Sequence, residues 1–310
     1  MAANNKNTHV IVYQFGKVAS TAVVQSFDRL RHVSAVQSHF LGEYHLKRMV
    51  DNLANPITGS HFFEHGIGQF RENLITTRDL NAFRRGLRKP DKLVIISAVR
   101  DPLDWNRSRF AQDLEGYLPV LREHVGNKKL GLSGDGALIQ AVLPRMFLDF
   151  NRAISAAGGI DNLFEGGEFR AEARKIVEAQ LPTPGGRRLF FGMLTPFSWF
   201  DSHFCRVLNV QLDQFARIEP GLLWKDLGWA DCYIYKYETV ERSSKTIAAR
   251  LGFDDFQVKT ENVSSDKRLW EDIVKAFAST SGLRLGHRFR HTRYAQRFGY
   301  NPARQPLAKS

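Results

Sequence analysis

The residues best suited to chemistry stand near the start of the chain. Gly16 and Lys17 are followed by Ser20 and Thr21, and an apolar run, Val10 to Tyr13 with Phe15, leads into them. Beyond the turn the apolar period lengthens: Val23, Phe27 and Leu30 fall at i, i+4 and i+7, one face of a helix. The pattern is buried strand, glycine turn, helix. A helix entered this way directs its N–H groups and the positive end of its dipole at whatever sits above the turn. Lys17 adds a mobile cation there, and Ser20 and Thr21 add hydroxyl donors. The chemistry this suits is phosphate binding. The triphosphate pattern GxxxxGK[ST] is not met, because Ile11 stands at its first glycine and Val18 at its magnesium-holding hydroxyl. A phosphate donor used without a metal fits these residues better than ATP.

A second stretch carries a complementary set. Leu93 to Val99 (LVIISAV) is a continuous, β-branched apolar run of the kind found in central parallel strands. It ends in Arg100-Asp101-Pro102, and Pro102 suits the first turn of a helix. Ser108 lies two helical turns beyond Arg100, where a guanidinium fork and a hydroxyl can grip one phosphate together.

With both stretches in view, strand-GKxxST-helix followed by strand-RDPxxxxxSxF resembles the sulfotransferases that use 3′-phosphoadenosine 5′-phosphosulfate (PAPS). The chain is most similar to their bacterial sulfotransferase-like group, the capsular polysaccharide synthesis proteins. YQFGKVAST, SAVRDPLDWNRSRF, the WFDSHFCRVLNV stretch from Trp199 to Val210, ENVSSDK from Glu261 to Lys267 and HTRYAQRFGY from His291 to Tyr300 carry the likeness nearly end to end. Only the first two blocks are specific for chemistry. Ala19 departs from the glycine or serine common at its position. The WFDSHF block lacks the charged-aromatic signature of that group, which points to a different acceptor. The resemblance implies a P-loop-like, mostly parallel α/β sheet with helices on both faces. It implies that Gly16, Lys17, Ser20 and Thr21 hold the 5′-phosphosulfate and that Arg100 and Ser108 hold the 3′-phosphate. It further implies sulfuryl transfer to a hydroxyl, on a capsular or other surface glycan or its precursor, with PAPS as co-substrate and no metal.

Sulfuryl transfer spreads charge over the leaving group and equatorial oxygens, so placed cations and N–H donors do most of the catalysis. Lys17 is the leading electrophile. An acceptor hydroxyl also needs a base, most often histidine. His39 follows a candidate second strand, His32 to Gln37, at the carboxyl edge where open α/β sheets place ligands. His61, His65 and Glu43 are the other candidates for that role. His61, Glu64 and His65 also suggest a metal, but no further ligand cluster with zinc-like spacing accompanies them. Two other function classes remain open at this stage: a P-loop-like kinase using ATP, and a non-catalytic nucleotide- or polyanion-binding module.

The elements that must position these residues follow from the rest of the chain. At 310 residues and 43% hydrophobic content it can bury a large core. The expectation is one sulfotransferase-like domain over residues 1–310, with a helical and loop insertion around 112–198. Periodicity is weak from Gln112 to Gly136, while Ala137 to Ala157, Phe169 to Gln180, Trp199 to Leu208, Glu241 to Leu251 and Lys267 to Ala278 read as helices. Arg71 to Arg88 reads as a surface helix and linker. Asp231 to Tyr237 reads as a strand. Cys205 and Cys232 are the only cysteines and read as buried thiols without a disulfide framework. With no apolar leader and no long apolar segment, the chain reads as cytoplasmic, at most peripheral to a membrane. The net charge of +12 draws polyanions in general, but the basic residues are scattered and no nucleic-acid signature appears. The exception is Arg284 to Arg297, where Arg290, Arg293 and Arg297 would share one helix face. There a basic segment could close over the donor's 3′-phosphate or meet an anionic acceptor, with Tyr294 against sugar or adenine.

Overall fold

The computed structural model describes residues 7–54, 59–125, 133–254, 256–258 and 267–301; the side chains at 52, 53 and 59–65 are outside that description. In chain order the first elements are β1 (Thr8–Tyr13), α1 (Ser20–Asp28), β2 (Val33–Ser38), α2 (Glu43–Ala54), α3 (Gly59–Arg84) and β3 (Lys92–Val99). There follow α4 (Pro102–Gln112), α5 (Leu114–Val125), α6 (Gly134–Ala156), the two-residue strands β4 (Phe164–Glu165) and β5 (Glu168–Phe169), α7 (Ala171–Gln180), α8 (Pro184–Met193) and α9 (Thr195–Trp199). The last part holds α10 (Arg206–Leu208), β6 (Ala216–Glu219), β7 (Leu222–Asp226), β8 (Asp231–Lys236), α11 (Val240–Arg250), α12 (Trp270–Phe277), α13 (Thr280–Arg290) and α14 (Arg293–Phe298).

Two compact units form: Met1–Val99 with Asp201–Glu261, and Arg100–Phe200 with Asn262–Ser310. The first is α/β. Its six strands run in the order β2-β1-β3-β8-β7-β6. β2, β1, β3 and β8 are parallel, and β7 and β6 add an antiparallel edge. The mostly parallel sheet flanked by helices is the general architecture expected from the sequence. Its central strands are buried along their length, which is why Val10–Tyr13 and Leu93–Val99 read as unbroken apolar runs. α1 buries Val23 and Phe27 as the spacing requires, but it stops at Asp28, so Leu30 lies past its end. The β6–β7 hairpin was not foreseen; Gly221, at φ +87°, makes its turn.

The second unit is helical. α6 is its spine, packed by α5, α7, α12 and α13. Met146, Phe147 and Phe150 of α6 are buried with Phe190, Phe277 and Phe289. α5 forms where the sequence periodicity is weak: Leu114, Tyr117, Leu118 and Leu121 are buried on one face in spite of Pro119. The stretch Trp199 to Leu208 is helical as expected, but its bonding widens to a π-helix over Phe200–Cys205. α3 is less of a surface helix than its polarity suggests, since Asn73, Thr76, Thr77 and Leu80 are all buried. Cys232 is buried as expected, whereas Cys205 is half-buried. Among the described residues no helix is long and apolar enough to cross a membrane.

Candidate functional site: the glycine-lysine turn

Register places the turn. Tyr13, the last residue of β1, is opposite Ser38, the last of β2, and the ladder runs on through Gln14 N–H donating to the Ser38 carbonyl at 3.2 Å. The turn after β1 and the residue after β2 therefore leave the same carboxyl edge of the sheet, where α/β sheets take ligands. Gly16, Lys17 and Ala19 all have left-handed backbones, with φ of +90°, +61° and +61°. For lysine and alanine this conformation is strained. Such runs turn successive N–H groups into a concavity that suits an anion. Ala19 is the N-cap of α1, supplies no capping side chain, and no acidic residue sits in the helix's first turn. The positive end of the dipole is thus left uncompensated by the helix itself.

Gln14 braces the turn from inside. Its side chain is fully buried; Nε2 donates to Ser20 Oγ at 2.9 Å, and Oε1 accepts from the Gly16 N–H. Because the Ser20 oxygen accepts there, its own proton is left to be donated. Thr21, one residue on, is exposed.

From beneath, the fully buried Tyr235 of β8 donates its phenol proton to the Val18 carbonyl at 2.9 Å. Burial drives the Tyr235 pKa far above the ordinary phenol value, so it remains a donor at any working pH.

His39 joins this set. Its Nδ1 lies 2.8 Å from the Gln14 carbonyl, and a carbonyl only accepts, so Nδ1 carries the proton. Nε2 then carries the lone pair, with the Gln37 amide donating to it at 3.0 Å. Burial lowers the His39 pKa below the ordinary imidazole value; the Gln14 bond opposes that shift, and the Lys17 charge adds to it. A neutral imidazole near an ammonium can act as a general base once the Gln37 amide yields Nε2 to the acceptor hydroxyl. Gly16, Lys17, Ser20 and His39 are therefore gathered at one edge of the first unit.

The second unit holds the other two expected residues. Arg100 directly follows β3 in the chain, and Ser108 is buried on α4. Asp101 caps α4 by accepting from the N–H groups of Leu103 and Asp104, and its second oxygen accepts from Arg290 Nε at 3.0 Å. Tyr294 clamps the Arg100 peptide, accepting from its N–H at 3.2 Å and donating to its carbonyl at 3.0 Å. The Tyr294 hydroxyl thus fixes the main chain at Arg100. Lys267 is close enough for its pKa to fall, first through burial and then through the Arg100 charge, with Asp113 opposing.

Compared with known proteins, the chain matches no family model, no curated protein and no solved structure.

Glu43 opens α2 and is exposed. His61, Glu64 and His65 lie on the α3 backbone, and their side chains fall outside the described residues. Among the described residues no three His, Cys, Asp or Glu side chains converge as a metal-binding group. The C-terminal arginines do not share a helix face. α13 stops at Arg290 with His291 as its C-cap, and Thr292, extended at φ −110° and ψ 161°, caps α14. The carboxylates the spacing argument lacked are present: Arg290 pairs with Asp101, and Arg293 lies 3.9 Å from Asp161.

Sequence reasoning missed Gln14, Gln37, Tyr235 and Lys267. Gln14 carries a visible signal, being a polar residue inside an apolar run. Tyr235 carries none, because a strand tyrosine ordinarily reads as core.

Proposed function

We propose that this chain is a PAPS-dependent sulfotransferase acting on a hydroxyl of a glycan or glycan precursor, built on a sulfotransferase-type fold. The observation that carries the reading is the left-handed Gly16–Ala19 turn at the N-terminus of α1, with neutral His39 beside Lys17. The residues fit the donor, since a left-handed turn opening a helix, an uncompensated helix dipole and a lysine suit a phosphosulfate. When bound, PAPS supplies the activated sulfuryl group. Ser20, Thr21 and the turn amides hold its 5′-phosphate, while Arg100 and Ser108 are assigned to its 3′-phosphate. His39 Nε2 takes the acceptor's proton as the new oxygen–sulfur bond forms. Lys17 neutralises the charge that gathers on the bridging oxygen as the old sulfur–oxygen bond breaks. Gln14 keeps the His39 proton on Nδ1, so that Nε2 is the accepting atom.

Incubation with radiolabelled PAPS and a glycan extract of the host should yield label in a polymeric product, and a protein with Lys17→Ala should form it about 10²-fold more slowly or worse. Label appearing equally with the variant would rule the reading out.

A further inference from the structure

α3 buries one side, with Asn73, Thr76, Thr77 and Leu80, and turns a different set of residues outward. That outer face repeats every seven residues. Ile67, Leu74 and Asn81 form one line of it, and Arg71, Arg78 and Arg85, the last just past the helix end, form the other. Seven residues are nearly two turns, so successive members stand about 10.5 Å apart on almost the same side. Ile67 is 50% exposed, Leu74 48%, and Leu87, in the turn beyond, 72%. A groove of about 410 Å³ between α2 and α3 continues this face; Leu46, Leu74, Ala82 and Leu87 line it together with Arg78 and Arg85. Soluble monomers rarely leave apolar side chains grouped in this way without a partner for them.

The charges on the face are almost all of one sign. Glu72 and Asp79 fall roughly a third of a turn round the helix from the arginine row. Asp79 is paired with Arg78 at 3.0 Å and with Arg88 at 3.4 Å, and among the described residues Arg71 and Arg85 make no ion pair. Glu43 is the one carboxylate in the groove lining. A helix face that is both basic and apolar suits an anionic membrane or an acidic protein segment. Here the two kinds of side chain alternate over roughly 27 Å of outward-facing helix, from Ile67 to Arg85. A bilayer interface accepts that alternation along its whole length, with apolar side chains at the acyl boundary and guanidinium groups among the phosphates. A peptide would need pockets at a fixed spacing.

We infer that the α2–α3 face docks on an anionic lipid bilayer, with α3 lying flat in the interfacial plane.

The test is co-sedimentation of the full chain with vesicles of phosphatidylcholine alone and of equal parts phosphatidylcholine and phosphatidylserine. The anionic vesicles should bind at least about tenfold more tightly, and molar salt should release most of the protein. Arg71→Gln combined with Arg85→Gln should weaken binding by about tenfold or more. Arg145→Gln combined with Arg152→Gln, at exposed positions on α6 of the other unit, removes the same charge and should change binding by less than about threefold. Leu74→Ser leaves the charge alone and should weaken binding by about threefold or more. Thermal melting of each variant checks that it is folded. Equal binding to the two kinds of vesicle, equal losses in the two arginine pairs, or unchanged binding in Leu74→Ser would each overturn the inference. Tighter binding of a polyglutamate peptide than of the anionic vesicles, lost in the same α3 pair, would assign the face to an acidic protein segment and overturn it as well.

Discussion

The Tyr235 hydroxyl donates to the Val18 carbonyl at 2.9 Å, tying the fourth parallel strand to the middle of the glycine-lysine turn. Val18 is fully buried, so its carbonyl has no water to fall back on. Tyr235→Phe keeps the ring and removes the bond. It should cost about 1–3 kcal/mol in chemical denaturation. It should also weaken anion binding at the turn more than a comparable core substitution does, because the turn loses its anchor. Unchanged stability and unchanged binding would mean that the bond positions nothing.

Ala19 offers a test of strain. At φ +61° its Cβ crowds the following carbonyl, at a cost of roughly 1–2 kcal/mol that glycine escapes. Glycine loses roughly 0.5–1 kcal/mol through backbone entropy, so Ala19→Gly should be neutral or slightly stabilising. Ala19→Val should be clearly destabilising, since β-branched residues tolerate this region worst. Denaturation midpoints of the two variants decide it; a destabilised glycine variant would contradict the backbone assignment.

The sequence revealed the parts of this fold that rest on periodicity. β1, β3 and β8 are buried on both faces, so their apolar runs were visible, and the carboxyl-edge placement of His39 followed from strand order. Other features depend on tertiary contacts and left no local trace. The Tyr235 bond joins residues 217 positions apart. The break between α13 and α14 turns on Thr292 accepting the Ala295 N–H, which helical spacing alone does not reveal. α5 keeps its helix because its apolar face is buried, a tertiary effect that overrides the weak local pattern.

Lys17 is expected to act on the departing oxygen more than on the resting donor. Only contacts that strengthen in the transition state raise turnover. Lys17→Ala should therefore lower kcat by about 10²-fold or more. Affinity for adenosine 3′,5′-bisphosphate should fall by less than about tenfold. Equal losses in rate and affinity would make Lys17 a binding residue only.

His39 gives a pH signature. Burial and the Lys17 charge both lower its pKa, so the neutral base should persist at pH 7, and the acid limb of the rate profile should lie below the ordinary value of about 6.5. Lys17→Met removes the neighbouring charge and should raise the His39 pKa toward that value, read by NMR titration of the imidazole. A pKa that stays put or falls would separate the two side chains. The same shift links to stability. With the folded-state pKa depressed, the contribution of neutral His39 is present above about pH 6.5 and is lost as pH falls through the folded value.

The most direct measurement of the donor assignment is the affinity of the protein for adenosine 3′,5′-bisphosphate in the presence of a metal chelator, set against adenosine 5′-monophosphate and magnesium-ATP. The bisphosphate should bind without metal and raise the melting temperature by mass action. Adenosine 5′-monophosphate should bind more weakly by about 1.5–3 kcal/mol, and Arg100→Ala should erase that difference. Equal affinity for the two nucleotides in the wild-type protein, or tight binding only of magnesium-ATP, would contradict the assignment of a PAPS-type donor to this chain.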